Sequence, residues 1–240
     1  MTVRSQAALH INANDPYAWA LQGLAWRMLG DARERWLNDV DRLIQVVDLP
    51  APLGFGTMAE FNQALAAELV ALHQDQAAPV DQTLRGGTQT LGNIFEQRLR
   101  LVDTLKATLA LALTAYVNGL PRDLAHPFLR QVTGGWRFVD SWSSRLLSGG
   151  FHTNHVHPHG WISSVYYVGV PNSVREAPGR GGWLQFGQPD MDLGEASAVQ
   201  LQVQPLPGRL VLFPSMFWHG TTPFSDAEQR LTVAFDVVPV

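Results

Sequence analysis

At about Gly134 this 240-residue chain changes its hydrophobic period, and that switch constrains the fold more than any other feature. Before it, apolar residues recur at the three- and four-residue spacing of helices that bury one face. Asp15-Pro16 reads as a capped helix start, followed by Leu21, Leu24, Ala25, Met28 and Leu29 on one stripe. Gly30-Asp31 ends that helix. Residues 32–47 read as a second helix, closed by Leu49-Pro50-Ala51-Pro52, and residues 57–72 as a third with Phe61, Leu65, Leu69 and Leu72 on one face. A polar linker over 74–87 leads to a long helix from about 91 to 117, ended by Asn118-Gly119-Leu120-Pro121. Its most apolar part, 107–117, is too short to span a bilayer and reads as buried.

Beyond Gly134 come short β-runs at 137–147, 162–170, 183–186, 199–203, 209–213 and 231–238. Runs of this length and spacing predict a sandwich or barrel. The expected fold class is α+β, with the helices packed on the β-core. Its parts are a helical region 1–80, a linker and supporting helix 81–133, and a β-domain 134–240. Trp19, Gly23, Trp26 and Gly30 fall at tetratricopeptide offsets, although Arg35 and Arg42 stand where that repeat wants small residues. A single repeat cannot bury its own face, so the pair reads as a packing element rather than a partner-binding surface.

Lys plus Arg number 17 against 21 Asp plus Glu, a net charge of −4 that lacks the basic surplus of a nucleic-acid binder. The first residues carry no apolar signal core, so the expectation is a cytoplasmic protein that is neither membrane-bound nor secreted. Cysteine is absent, which leaves histidine, carboxylate and amide groups as the only metal ligands.

Four of the eight histidines fall within residues 152–159. In extended chain, residues i and i+2 point the same way, so His155 and His157 can aim two imidazoles into one cavity. Imidazole suits iron, zinc, copper or nickel. A third ligand must come from elsewhere, and His219, just after the run 209–213, is the best candidate; alone it reads more readily as a capped core or surface residue. His152 and His159 are out of phase with the pair and read as supporting or surface groups. Arg230, at the mouth of an apolar strand, needs an anion, and its fork matches a carboxylate. Asp226 or Glu228 could supply that anion. Thr232 points the same way as Arg230 and can donate one more hydrogen bond.

As an ordered set these segments resemble the iron(II)- and 2-oxoglutarate-dependent oxygenases of a bacterial and phage branch. The residues that carry the likeness are His155-Val-His157-Pro, Trp161-Ile-Ser-Ser-Val-Tyr-Tyr-Val168 and Gly182-Trp-Leu-Gln-Phe, then Pro207-Gly-Arg-Leu-Val-Leu-Phe-Pro-Ser215, His219 and Arg230-Leu-Thr-Val-Ala-Phe235. Upstream, Gln82-Thr-Leu-Arg-Gly-Gly-Thr-Gln-Thr90 extends the likeness, which covers roughly residues 80 to 238. The resemblance implies a double-stranded β-helix, a jelly-roll or cupin-like barrel. It implies Fe(II) held by His155 and His219, and 2-oxoglutarate anchored by Arg230 with help from Thr232, Tyr167 and Ser163, or from their neighbours Tyr166 and Ser164. No catalytic side chain is implied beyond the metal centre.

The family's usual His-x-Asp or His-x-Glu is replaced here by His155-x-His157. His157 is therefore either the third ligand or a group behind it, with Asp140, Asp190 and Asp192 as outside carboxylates. The implied activity is a dioxygenase that oxidises a C–H bond and releases succinate and CO2, acting on a small-molecule, peptide or protein substrate. A cupin that ignores 2-oxoglutarate is the main rival; Gly149, His155, His157 and Gly169 fit its opening signature, but Ile162 or Ser163 stands where it wants glutamate. A helical and β interaction protein without chemistry is the other, and a zinc hydrolase a weaker third.

Overall fold

The first turns of the helices are set by side-chain caps. Asp15 accepts the Ala18 amide at 3.0 Å, with Pro16 preset for the first helical position. Thr57 and Glu60 form a reciprocal capping box, each side chain accepting the other's amide at 3.1 Å. The computed structural model describes residues 2–73, 83–176 and 178–240; the first part of the expected linker, 74–82, lies outside them. In chain order the elements are α1 (Thr2–Ile11), α2 (Pro16–Met28), α3 (Arg33–Leu37), α4 (Val40–Leu43), β1 (Gln45–Asp48), α5 (Met58–Val70), β2 (Leu84–Gln89) and α6 (Arg100–Gly119). They continue with β3 (Trp136–His152), β4 (Ile162–Gly169), α7 (Asn172–Glu176), β5 (Leu184–Phe186), β6 (Leu201–Val203), β7 (Arg209–Pro214), β8 (His219–Thr221) and β9 (Arg230–Pro239).

Two expectations are corrected. The single helix over 32–47 is instead α3, α4 and β1: the Asp39 side chain caps a new helix by accepting the Arg42 amide at 3.2 Å, and by Ile44 the chain is extended. The expected tetratricopeptide pair thus lacks a continuous second helix. The long helix begins at Arg100 rather than near 91, because the Asn93 side chain caps a separate 3-10 turn, Ile94–Glu96.

The strands form two antiparallel sheets, one ordered β1-β7-β4-β9-β3-β2 and a smaller one ordered β6-β5-β8. Both edge strands of the larger sheet, β1 and β2, come from the part of the chain that read as helix and linker. Asp48 pairs with Arg209 across β1 and β7, a 2.7 Å ion pair that marks the register. Gly87 is required where β2 shifts register against β3, since a Cβ there would collide with the Arg145 carbonyl oxygen.

Side chains alternate across each strand, so Arg230, Thr232, Ala234 and Asp236 share one face of β9. The register sets Ser144 and Trp142 of β3 opposite Thr232 and Ala234, and Tyr167 and Ser163 of β4 opposite Thr232 and Asp236. Tyr166, Leu210, Leu212 and Phe235 lie in one buried cluster with Phe61 and Leu65 of α5 and Leu105 and Leu109 of α6. The Tyr166 hydroxyl donates to Asn62 of α5 at 2.6 Å, and Tyr116 of α6 donates to the Leu43 carbonyl at 2.6 Å. Among the described residues no helix is long and apolar enough to cross a membrane.

Candidate metal centre

His155 and His157 lie on the link between β3 and β4, and His219 opens β8. The backbones of His155 and His219 form an isolated antiparallel bridge, exchanging amide–carbonyl bonds of 2.9 and 3.0 Å. Two residues so paired project their side chains to the same side. Gly220 permits this approach: a Cβ there would strike the Asn154 side-chain oxygen and sit 2.9 Å from the His152 carbonyl. Val156, between the two histidines, points the other way and packs with Ala20 and Leu24 of α2 and with Trp218. The helix α2 thus braces both histidine-bearing segments.

Each imidazole is oriented by its Nδ1. His155 donates to the Thr153 carbonyl at 2.8 Å and His219 to the Phe217 carbonyl at 2.9 Å. His157 Nδ1 lies 2.8 Å from both oxygens of Asp236. Carbonyls and carboxylates only accept, so these Nδ1 atoms carry protons, and each ring in its neutral form presents a bare Nε2 lone pair. One ligand atom from each ring lies within 4.8 Å of the others, and the Nε2 atoms of His155 and His157 are 3.1 Å apart. That spacing is also the one expected of two ligands about 2.1 Å from one metal ion at right angles, about 3 Å. Burial, reinforced by the neighbouring His157, pushes His155 down to about 3, and burial pushes His219 well below the usual imidazole range. Both rings are therefore unprotonated and ready to ligate at neutral pH.

Beside the triad, between the two sheets, is a cavity of about 200 Å³. Its walls include Gln89, Trp142, Phe213 and Leu184, together with the three histidines, Arg230 and Thr232. Arg230 is only 2% exposed. It donates to the Gly182 carbonyl at 2.7 Å and lies 5.1 Å over the Tyr167 ring, and its Nε has no partner among the described residues. The two surface acids that could have neutralised it are engaged elsewhere: Asp226 accepts the Ser173 amide and Glu228 the Asn172 amide. No ion pair involves Arg230 among the described residues. The Tyr167 hydroxyl is likewise buried without a partner. A buried cation and an unsatisfied hydroxyl beside a cavity fit an anionic ligand with oxygen acceptors. Thr232 donates to the Ser144 carbonyl at 3.4 Å and keeps a place in the wall.

Ser163, expected beside the cosubstrate, is bonded on the side of Asp236. Its hydroxyl donates to Asp236 at 2.7 Å and pairs with Ser215 at 2.8 Å, and it does not line the cavity. It supports the group behind His157 rather than a ligand on the cavity side. His152, read as a supporting or surface group, lines the cavity; His159 is exposed in the outer groove. Of the three outside carboxylates, Asp140 accepts the Ser141 amide, Asp192 accepts the Gly194 amide and Asp190 lies in the groove. The carboxylate at the centre is Asp236, which the sequence reading missed. Period-two alternation from Arg230 through Thr232 and Ala234 is the signal that reaches it. Among the nearby aromatic residues, Trp142 and Phe213 line the cavity, whereas Trp161 donates to the Phe128 carbonyl and Trp218 borders the groove. That groove, about 690 Å³, also meets His155, with Asp15, Tyr17, His159 and Asp190 along it.

A family model described as "Putative 2OG-Fe(II) oxygenase" matches residues 140–236, which contain all three histidines, Arg230 and Asp236. The likeness read from the sequence is thereby shown, and the cofactors of that family are iron(II) and 2-oxoglutarate. That family model supports an oxidoreductase of the 2OG/Fe(II) oxygenase kind. A prolyl-4-hydroxylase of Pseudomonas putida superposes with a TM-score of 0.55 at 19% identity, covering 85% of this chain and 97% of that one. HygX of Streptomyces hygroscopicus, with nickel and 2-oxoglutarate bound, gives 0.53 at 14% identity and covers 85% and 86%. A Trichoplax adhaerens prolyl hydroxylase, in complex with a hypoxia-inducible-factor peptide, gives 0.52 at 15% identity and covers 89% and 93%. At these identities the likeness is one of fold. A search of curated proteins finds no sequence match.

Proposed function

We propose that this chain is an Fe(II)/2-oxoglutarate-dependent dioxygenase that hydroxylates, or otherwise oxidises, a C–H bond of its substrate and releases succinate and CO2. The observation that carries the reading is the meeting of three imidazole rings with a buried guanidinium that has no ion pair among the described residues, around one small cavity. His155, His157 and His219 would hold the metal. Arg230 would hold the distal carboxylate of 2-oxoglutarate in a bidentate fork, Thr232 would donate to the same group, and the Tyr167 hydroxyl would find an acceptor there. The iron and its cosubstrate supply the oxidising power when bound. The protein's part is to orient them, and to exclude water with Trp142, Phe213 and Leu184.

In this reading the two sheets are the halves of a double-stranded β-helix, with the 1–80 and 81–133 segments as its outer support. The groove on the far side of His155 admits the substrate. HygX with hygromycin B bound and the peptide complex of the Trichoplax enzyme show small-molecule and peptide substrates in this fold, and the open groove suits either. The test is anaerobic Fe(II) reconstitution, then oxygen and 2-oxoglutarate, with succinate measured across a panel of peptides, amino acids and small molecules. Metal- and 2-oxoglutarate-dependent succinate supports the assignment; oxidation that proceeds without 2-oxoglutarate favours the cupin reading and removes it.

A further inference from the structure

In a His-x-Asp or His-x-Glu site the second ligand brings a negative charge to the metal, whereas here His157 brings none. Its Nδ1–H donates to Asp236, with both carboxylate oxygens at 2.8 Å. Asp236 is itself held by the Ser163 hydroxyl at 2.7 Å, and Ser163 pairs with Ser215, whose carbonyl accepts the His157 amide at 2.9 Å. Asp236 is 9% exposed, sits opposite Ser163 in the β4–β9 register and opposite Asp140 in the β3–β9 register, and lies on the β9 face that carries Arg230 and Thr232.

We propose that Asp236 is a positioning residue of the metal centre: through His157 it supplies the orientation, and one imidazole further out the negative charge, that a directly bound carboxylate would give. This inference rests on the metal site proposed above. Physically, the carboxylate fixes the His157 tautomer with Nε2 bare, and its charge makes that nitrogen a stronger donor. An amide at the same place can turn its NH2 toward Nδ1, which favours the tautomer whose Nε2 carries a proton and cannot ligate.

The experiment measures Ni(II) affinity by calorimetry for wild type, Asp236→Asn, His157→Ala and the double variant, alongside thermal unfolding of each metal-free protein. Nickel binds imidazole sites tightly enough to follow a weakened one. The expected result is a loss of about 10- to 100-fold in affinity for Asp236→Asn. That loss disappears when His157 is already alanine, and metal-free unfolding changes little. Ser163→Ala, which removes only the donor behind Asp236, should weaken binding in the same direction by a smaller factor, and serves if Asp236→Asn does not fold. An equal loss in both His157 backgrounds, or no loss at all, overturns the inference while leaving the metal site standing. Wild-type protein that binds no Ni(II) overturns the metal site itself.

Discussion

Replacing Arg230 with methionine should make the ligand-free protein more stable while removing its response to 2-oxoglutarate. The guanidinium is 2% exposed, has one hydrogen bond to the Gly182 carbonyl, lies over Tyr167 and has no ion pair with a carboxylate among the described residues. Burying an unpaired charge costs several kcal/mol, and exchanging buried ionic groups for apolar ones of similar volume gains about 1–4 kcal/mol. The variant gives up the bond to Gly182, about 1–3 kcal/mol, and a cation–π contact of about 1 kcal/mol. Because the charge has no ion-pair partner its relief falls at the top of that range, about 4 kcal/mol against about 3 given up, so the balance is a gain of about 1 kcal/mol, or roughly 2–4 °C in a domain of this size. With Mn(II) and 2-oxoglutarate at a hundred times its dissociation constant, the wild type gains about 2.7 kcal/mol, and the variant gains nothing from the cosubstrate. The order of stability therefore reverses on adding ligand. The assay is urea unfolding of both proteins with Mn(II), with and without 2-oxoglutarate. A variant that is clearly less stable without ligand, and still stabilised by 2-oxoglutarate, refutes the reasoning.

Leu24→Ala, at a site 1% exposed, should cost about 2–5 kcal/mol and also weaken Mn(II) binding, because Val156 loses its seat on α2; a stability loss with unchanged metal affinity would free the site from dependence on α2. Gly220→Ala should push β8 from the segment bearing Asn154 and lower Mn(II) affinity in a protein that still folds; unchanged affinity would show that the His155–His219 bridge tolerates the added Cβ. His73, held between Thr88 and Ser143, is lowered by burial and then by Arg145 from 6.5 to about 4. The unfolded chain therefore binds the proton first, so stability present above pH 6.5 is lost as pH falls toward about 4. The urea midpoint of the metal-free protein should drop over that window, and His73→Gln should flatten part of the slope; an identical slope would exclude His73 as a contributor.

The site was legible where its signal is local. Period two made His155 and His157 neighbours, and the uncompensated charge of Arg230 in an apolar strand announced a need for an anion. His219 was reachable only as the remaining histidine near a strand end, since the bridge that sets it beside His155 is a long-range pairing. Ser163 reads from the sequence as a cosubstrate contact because the alternation of β4 does not say which group stands opposite each face; Asp236, on another strand, takes its hydroxyl. The strand β1 was hidden because four residues, two of them valine, fit the end of a helical stripe as well as a strand, and only pairing with β7 decides. The helix cap at Asp39 was the overlooked local cue.

The central claim is that metal and 2-oxoglutarate share one site made by the histidine triad and Arg230. Its most direct test is calorimetric titration of 2-oxoglutarate into the protein with and without Mn(II). The account predicts one site of high affinity when Mn(II) is present, sharply weaker binding when it is absent, and loss of that site in His219→Ala. Binding of equal strength with and without the metal, or none in either case, would contradict it.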